Sequence, residues 1–335
     1  MTRSFFTFII GLFLSCAVFA GSPGEVAKAG QSLFDRWTTT DVEQIELHVN
    51  FDSLEVYRKK DASLPARVIA NGRELDLDVT VRGRFRRRTC VMPPLKLQFK
   101  KDGLRAAGLN SHNDFKLVTH CTDDEAGQDA VLREQLVYEL YNTVAPDASF
   151  RTKLLTVTYV NTVDGSETTS YAILIEDADE LKGRMEGKKC KECYALPAGK
   201  IANAETVALF QYMIGNSDFS NRMLRNMKLV SNDDNSYTAV PYDFDFSGLV
   251  NARYATGFPH LKETSPRDRT LIWEYESSPD FAEASDYLLS LKDQLLDQVD
   301  NFEELDGGSK REITRYLKGF FREISGDFSP ISVAR

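Results

Sequence analysis

The sequence predicts an α+β fold in two lobes, an antiparallel β-rich N-terminal lobe followed by a mainly helical C-terminal lobe. Three observations predict it. Up to about residue 121, apolar and polar residues alternate over short runs bounded by Gly and Asn, the period of half-buried strands. Beyond about residue 177, apolar residues recur at helical spacing. Between them, "YAILIED" is the last predicted strand of the first half, and "DADELKGRM" starts a short helix beside Glu176. The lobe boundary therefore falls near Glu176–Asp179.

The chain begins with "MTR" and an apolar, uncharged stretch, "SFFTFIIGLFLSCAVFA". Small residues at Val18 and Ala20 complete the pattern of a secretory signal over residues 1–20, cleaved before Gly21. The mature chain is thus expected to be exported, to the periplasm or the medium, with a β-rich lobe at 21–176 and a helical lobe at 177–335. No later stretch is apolar enough to span a membrane.

"VEQIELHVN" alternates as a strand. "ARVIANGRELDLDVTVRGRF" is a hairpin turned at Asn71-Gly72, with Leu75, Leu77, Val79 and Val81 on one face and Arg82, Arg84 and Arg86 on the other. "PLKLQFKK" and "DFKLVTHC" add two strands, and "GQDAVLREQLVYELYNTV" a helix. Two strands then pair around Asp164-Gly165. In the second half "ANAETVALFQYMIG" is a helix stopped by Gly215. "RNMKLV" and "SYTAVPYDF" form a small hairpin, and two further helices complete the chain.

With 335 residues, 42% of them hydrophobic, the chain can bury a large core. Its net charge of -9 argues against nucleic acid as the main partner. Four cysteines follow the leader: Cys90, Cys121, Cys190 and Cys193. An even number in an oxidising compartment implies disulfides, most simply Cys90–Cys121 and Cys190–Cys193, although three pairings are open. "CKEC" lies in a predicted loop, which disfavours a redox motif, and it lacks further ligands for zinc.

The chemistry is suggested by order. A helix ending at Gly215 is followed by Asp218, Asn226, a strand, a turn, a strand and Asp243. Phosphoryl transfer needs a carboxylate beside the acceptor hydroxyl, oxygen ligands for magnesium and a cation on the phosphates. "YMIGNSDFS", "RNMKLV" and "AVPYDFDFSGLV", with "VRGRF", "PLKLQFKK", "VLREQLVYELYN" and "YAILIEDADEL" upstream in the same order, resemble the CotH family of exported kinase-fold proteins. They are more distantly similar to HipA-type kinases.

The resemblance spans about residues 75 to 250 and implies a protein-kinase-like fold that uses ATP with magnesium or manganese. The acceptor would be a hydroxyl on a protein substrate. By position it makes Asp218 the catalytic carboxylate, Asn226 and Asp243 metal ligands, and Asp245 a supporting one. Lys96 would contact phosphates, Glu134 would hold Lys96, Glu176 would mark the hinge and Arg82 would flank the nucleotide. Asp218 and Asn226 are eight residues apart, wider than in the usual kinase loop, so Asn216 and Asn221 are alternatives. Lys100 and Lys116 are alternatives to Lys96, and no Gly-rich phosphate loop is present.

Other readings compete. Gly215-Asn216 suits a plain helix cap, and Asp243 and Asp245 suit a solvated strand end or structural calcium. Asp-Phe-Asp also fits a nucleotide-sugar transferase, but such sites follow a doubly wound α/β domain. The four histidines are isolated in sequence. A non-catalytic binding or envelope-assembly module on the same scaffold is the alternative from another class.

Overall fold

The structure is a computed structural model and describes residues 30–60, 62–190, 193–326 and 333–334. The predicted secretory leader lies outside these residues. Seven strands form a closed barrel: β1 (Gln44–Val49), β2 (Ser63–Ala70), β3 (Arg73–Val81), β4 (Leu95–Phe99), β5 (Asp114–Val118), β6 (Thr152–Asn161) and β7 (Glu167–Ile175). The order around the barrel is β1-β2-β3-β4-β5-β7-β6. All neighbours are antiparallel except β1 and β6, which close it in parallel with Gln44 opposite Thr156.

Alternation explains the barrel. Leu47 and Val49, Leu77 and Val79, Leu95 and Leu97, Phe115 and Leu117, Leu155 and Val157, and Leu174 all point inward and pack as one cluster. The β2–β3 turn places Asn71 at φ 47° and Gly72 at φ 72°, the pair of positive angles a two-residue hairpin requires.

This barrel corrects the expected fold. The first half is not an open lobe sheet, and a kinase-like two-lobe fold is not shown. The strand pattern in the sequence carried no information about partners, and the β1–β6 pairing removes both sheet edges. The arginines expected along one strand face also differ. β3 ends at Val81, and the chain turns into a helical turn, α3 (Arg86–Thr89).

Short helices α1 (Leu33–Thr39), α2 (Phe51–Tyr57) and α4 (Lys101–Ala106) decorate the barrel. α5 (Glu125–Val144) packs on β6 and β7, and its buried face joins a second core formed with the C-terminal half. That half contains α6 (Ala178–Arg184), α7 (Ala204–Ile214), α8 (Ala282–Ser290), α9 (Lys292–Asn301) and α10 (Gly307–Ile324). A small sheet adds β8 (Lys188–Lys189), β9 (Met227–Ser231) and β10 (Tyr237–Pro241). The expected tail helix breaks at Leu291, which separates α8 from α9. Disulfides join Cys90 to Cys121 and Cys190 to Cys193. Among the described residues no helix is long and apolar enough to cross a membrane.

Candidate phosphate and metal site

Gly215 ends α7 in the left-handed region at φ 65°. A Cβ there would also lie 2.0 Å from Tyr316 Oη, so only glycine fits. The next residue, Asn216, accepts the Asp218 N–H at 3.0 Å, and its amide donates to Gln211 Oε1. The helix cap is therefore real, and it also aims Asp218. Asn226 Nδ2 donates to the Asp218 carbonyl at 2.6 Å and to its carboxylate at 3.1 Å. The Asn226 carbonyl in turn accepts the Tyr242 N–H at 3.1 Å. Hydrogen bonds thus tie the Asp218 loop to the residue preceding Asp243, across the eight-residue separation that made Asn226 an uncertain choice.

Asp243 follows β10 at φ 67°, a conformation L residues rarely take and which costs on the order of 1 kcal/mol. Its N–H donates to Tyr138 Oη of α5 at 2.9 Å. Phe244, fully buried, anchors the turn by an edge contact with the Tyr138 ring at 4.9 Å. Burial, and secondarily the charge of Asp243, raises the Asp218 carboxyl above its ordinary range, while Arg225 opposes them. The two carboxylates thus share one electrostatic environment.

Three cations face them. Lys116 projects from β5 over the Tyr242 ring at 4.0 Å, and Lys228 of β9 sits 5.3 Å from the same ring. Burial, then repulsion from Arg82 and Lys228, lowers Lys116 to about 7, with Asp243 and Asp114 opposing. Like charges gathered around a half-buried amine raise the local positive potential.

Lys96 does not join them. It pairs with Asp114 at 2.6 Å on the outer face of the barrel. Lys100 pairs with Asp78. Glu134 does not hold Lys96 either: it lies 3.6 Å from the Arg86 guanidinium, which is 3.7 Å from Asp245. Arg86, Glu134 and Asp245 are all buried, and Arg86 also donates to the Thr119 carbonyl. Burial first, then the charge of Asp243, raises Asp245 to about 7, while Arg86 opposes. Burial and Asp245 likewise hold the Glu134 carboxyl well above its usual range. Asp245 accepts from Tyr254 at 2.9 Å and belongs to this buried network.

Glu176 is committed elsewhere. Its carboxylate meets Arg151 at 2.8 Å and Arg184 at 2.6 Å, a clasp between barrel and α6. Asn221 is buried, and both of its side-chain polar atoms lack partners among the described residues.

Sequence reading missed Lys228, placed Arg86 on a strand face and not in a helical turn, and ranked Lys116 behind Lys96. Only the β4–β5 register, which sets Lys96 opposite Lys116, and the β10 turn separate the two lysines, and neither is visible in sequence. It also missed a Ser170–His120–Asp123 line. His120 Nδ1 lies 2.6 Å from Ser170 Oγ, and Nε2 lies 2.9 Å from Asp123. His120 is 1% exposed and Ser170 5%, so this line holds β7 to the loop after β5 and offers no reachable nucleophile.

Among the described residues, no three His, Cys, Asp or Glu side chains are gathered tightly enough to cage a metal. Magnesium does not need such a cage, since it binds through one or two carboxylates plus water and phosphate oxygens. Asp243 and Asp218, which act on each other electrostatically, are carboxylates of the kind such a site uses. No protein-family model matches the chain, and no curated protein matches it by sequence.

Proposed function

We propose that this protein catalyses phosphoryl transfer from a nucleotide to a hydroxyl acceptor, with a divalent cation. The observation that carries the proposal is that Lys116, with Arg82 and Lys228 around it, lies within reach of the Asp243 charge, and Asp243 in turn acts on Asp218. Lys116 of β5 is within reach of the Asp243 charge, and Lys228 of β9 and Arg82 after β3 act on the same amine. A magnesium phosphate needs cations and carboxylates at once.

In this reading Asp243 and Asn226 would hold magnesium, which neutralises phosphate charge when bound. Lys116, Arg82 and Lys228 bind phosphate oxygens and orient the nucleotide. Asp218, raised by burial, accepts a hydrogen bond from the acceptor hydroxyl and takes its proton. The resemblance to exported CotH-type kinases adds a protein hydroxyl as the acceptor and ATP as the nucleotide. The barrel that carries these residues gives no support for a kinase-like lobe arrangement.

One feature favours a second reading, a binding module without turnover. Arg225 lies 3.4 Å from Asp218 and competes for the carboxylate that would act as base.

A single set of measurements separates them. The mature protein is melted with and without saturating Mg-ATP or Mn-ATP, as wild type and as Asp243→Ala. A ligand at a hundred times its dissociation constant adds about 2.7 kcal/mol to the folded state. The expected result is a rise in melting temperature for wild type that is lost in Asp243→Ala, with phosphate transferred to the chain or to added protein. A rise without transfer supports the binding module. No rise with either nucleotide ends the proposal.

A further inference from the structure

α10 is amphipathic in an unusual way. Ser309, Ile313, Leu317, Phe320, Phe321 and Ile324 face the core. On the outward face Arg311, Arg315, Lys318 and Arg322 recur every three or four residues, so they line up on one side of the helix. All four are exposed, and none forms an ion pair among the described residues. With Lys292 and Lys310 they line a groove of about 590 Å³ against α9. Six cations and one carboxylate, Asp300, stand in the wall of a protein whose net charge is -9. A solvated helix face normally interleaves signs; this one segregates them.

We propose that this groove binds an acidic, extended polypeptide segment of a partner protein. From Arg311 to Arg322 the stripe runs about 16 Å at the helical rise. An extended peptide covers that in about five residues, which places three side chains of one face along the stripe. Arg side chains pair bidentately with carboxylates, and three of the four stripe residues are Arg.

The wall distinguishes this occupant from other polyanions. It contains no aromatic ring on which a base would stack and no apolar side chain that would enter a bilayer. It is also concave, whereas a membrane surface is flat.

The groove acts independently of the phosphate site, so its test is read by binding alone. A fluorescein-labelled peptide of twelve glutamates is titrated with the mature protein at low and at physiological salt. The comparison is with Arg311→Gln/Arg315→Gln/Lys318→Gln/Arg322→Gln. A control removes four exposed cations from the other end of the molecule, Lys59→Gln/Arg73→Gln/Lys101→Gln/Arg105→Gln, and so changes net charge equally. The expected result is saturable anisotropy, weakened at least about tenfold by the α10 changes and little by the control, and weakened by salt. Equal loss in both variants reduces the effect to overall charge and overturns the proposal. So does tighter binding of a twelve-nucleotide thymidine oligomer or of anionic phospholipid vesicles than of the peptide. The four positions are exposed on a helix that Gln favours, and an unchanged melting temperature verifies that folding is intact.

Discussion

Inside the barrel the core is mainly apolar, from Ile45 through Leu97 to Leu174, with the Ser170–His120 hydrogen bond among its few buried polar contacts. Its ion pairs, such as Arg67 with Glu74 and Lys100 with Asp78, lie outside. Where the barrel meets the C-terminal half the pattern inverts. Arg86, Glu134 and Asp245 are buried together, with Lys116, Asp218 and Asp243 beside them. Both regions are well packed, so packing alone does not account for the difference. Ion pairs of this kind contribute little net stability, because desolvation consumes most of the Coulombic gain. A chain that keeps charge out of one core and accepts it at the border of the other has concentrated its electrostatics where chemistry is proposed.

The sharpest way to break the comparison is to remove one charge from the border. Arg86→Ala leaves Glu134 and Asp245 without their cation and is expected to cost about 4 kcal/mol. Leu97→Ala, inside the barrel, falls in a similar range of about 2–5 kcal/mol by leaving a cavity. The two differ in rescue. Replacing all three together, as Arg86→Met/Glu134→Leu/Asp245→Leu, should recover most of the loss, whereas no partner change refills the Leu97 cavity. Urea unfolding of the three variants against wild type measures this. A single Arg86→Ala cost below about 1 kcal/mol would mean the network carries no buried charge penalty.

Next comes the bond that fixes Arg86. The Cys90 N–H donates to the Arg86 carbonyl at 3.0 Å, and Val91 N–H donates to the Cys121 carbonyl at 2.9 Å. The Cys90–Cys121 disulfide, separated by 31 residues, therefore pins the helical turn that presents Arg86. Cys90→Ser/Cys121→Ser should cost about 3 kcal/mol through loop entropy. It should also weaken Mg-ATP stabilisation, which Cys190→Ser/Cys193→Ser should leave unchanged. Thermal melts with and without nucleotide distinguish the two bonds.

Lys116 supplies the third effect, and its sign is opposite. Its folded pKa of about 7 lies below the unfolded value, so between these limits the unfolded chain holds the extra proton. The cost of burying the amine is fully present below about pH 7 and fades as the pH approaches 10. Lys116→Met should therefore stabilise the protein by about 2 kcal/mol near pH 6, with the gain shrinking towards pH 9, as melting temperatures across that range would record. The same change should abolish the nucleotide-dependent shift. A destabilised Lys116→Met at every pH would mean that the lysine is a structural cation and not a phosphate ligand.

What the sequence made legible follows from the range of the interaction. Local features were readable: the Asn71-Gly72 turn, the Gly215 stop, the inward alternation of Leu77 and Val79, the two-cysteine spacings. Barrel closure was not, because Gln44 and Thr156 are brought together only by the whole sheet. The order of Asp218 and Asp243 was legible, but the lysine that Asp243 acts on is Lys116, while Lys96 pairs with Asp114. Lys96 and Lys116 both alternate outward on short strands with similar neighbours. They differ in that Lys116 lies under Tyr242, a residue far away in sequence. Glu134 was correctly placed on a helix and wrongly paired, since the arginine it meets sits in a turn that reads as strand.

That near-symmetry gives the smallest effect and the finest test. Lys96 and Lys116 face each other across β4 and β5, yet Lys96 keeps an exposed ion pair with Asp114 while Lys116 is covered by two aromatic rings. An exposed pair contributes little, so Lys96→Met should change stability by no more than about 0.5 kcal/mol. It should also leave the Mg-ATP shift intact, because Lys96 is committed to its ion pair with Asp114 on the outer face. Loss of the shift in Lys96→Met with retention in Lys116→Met would restore the first sequence assignment, and the cation cluster beside Tyr242 would then be no more than a packing feature of the barrel rim.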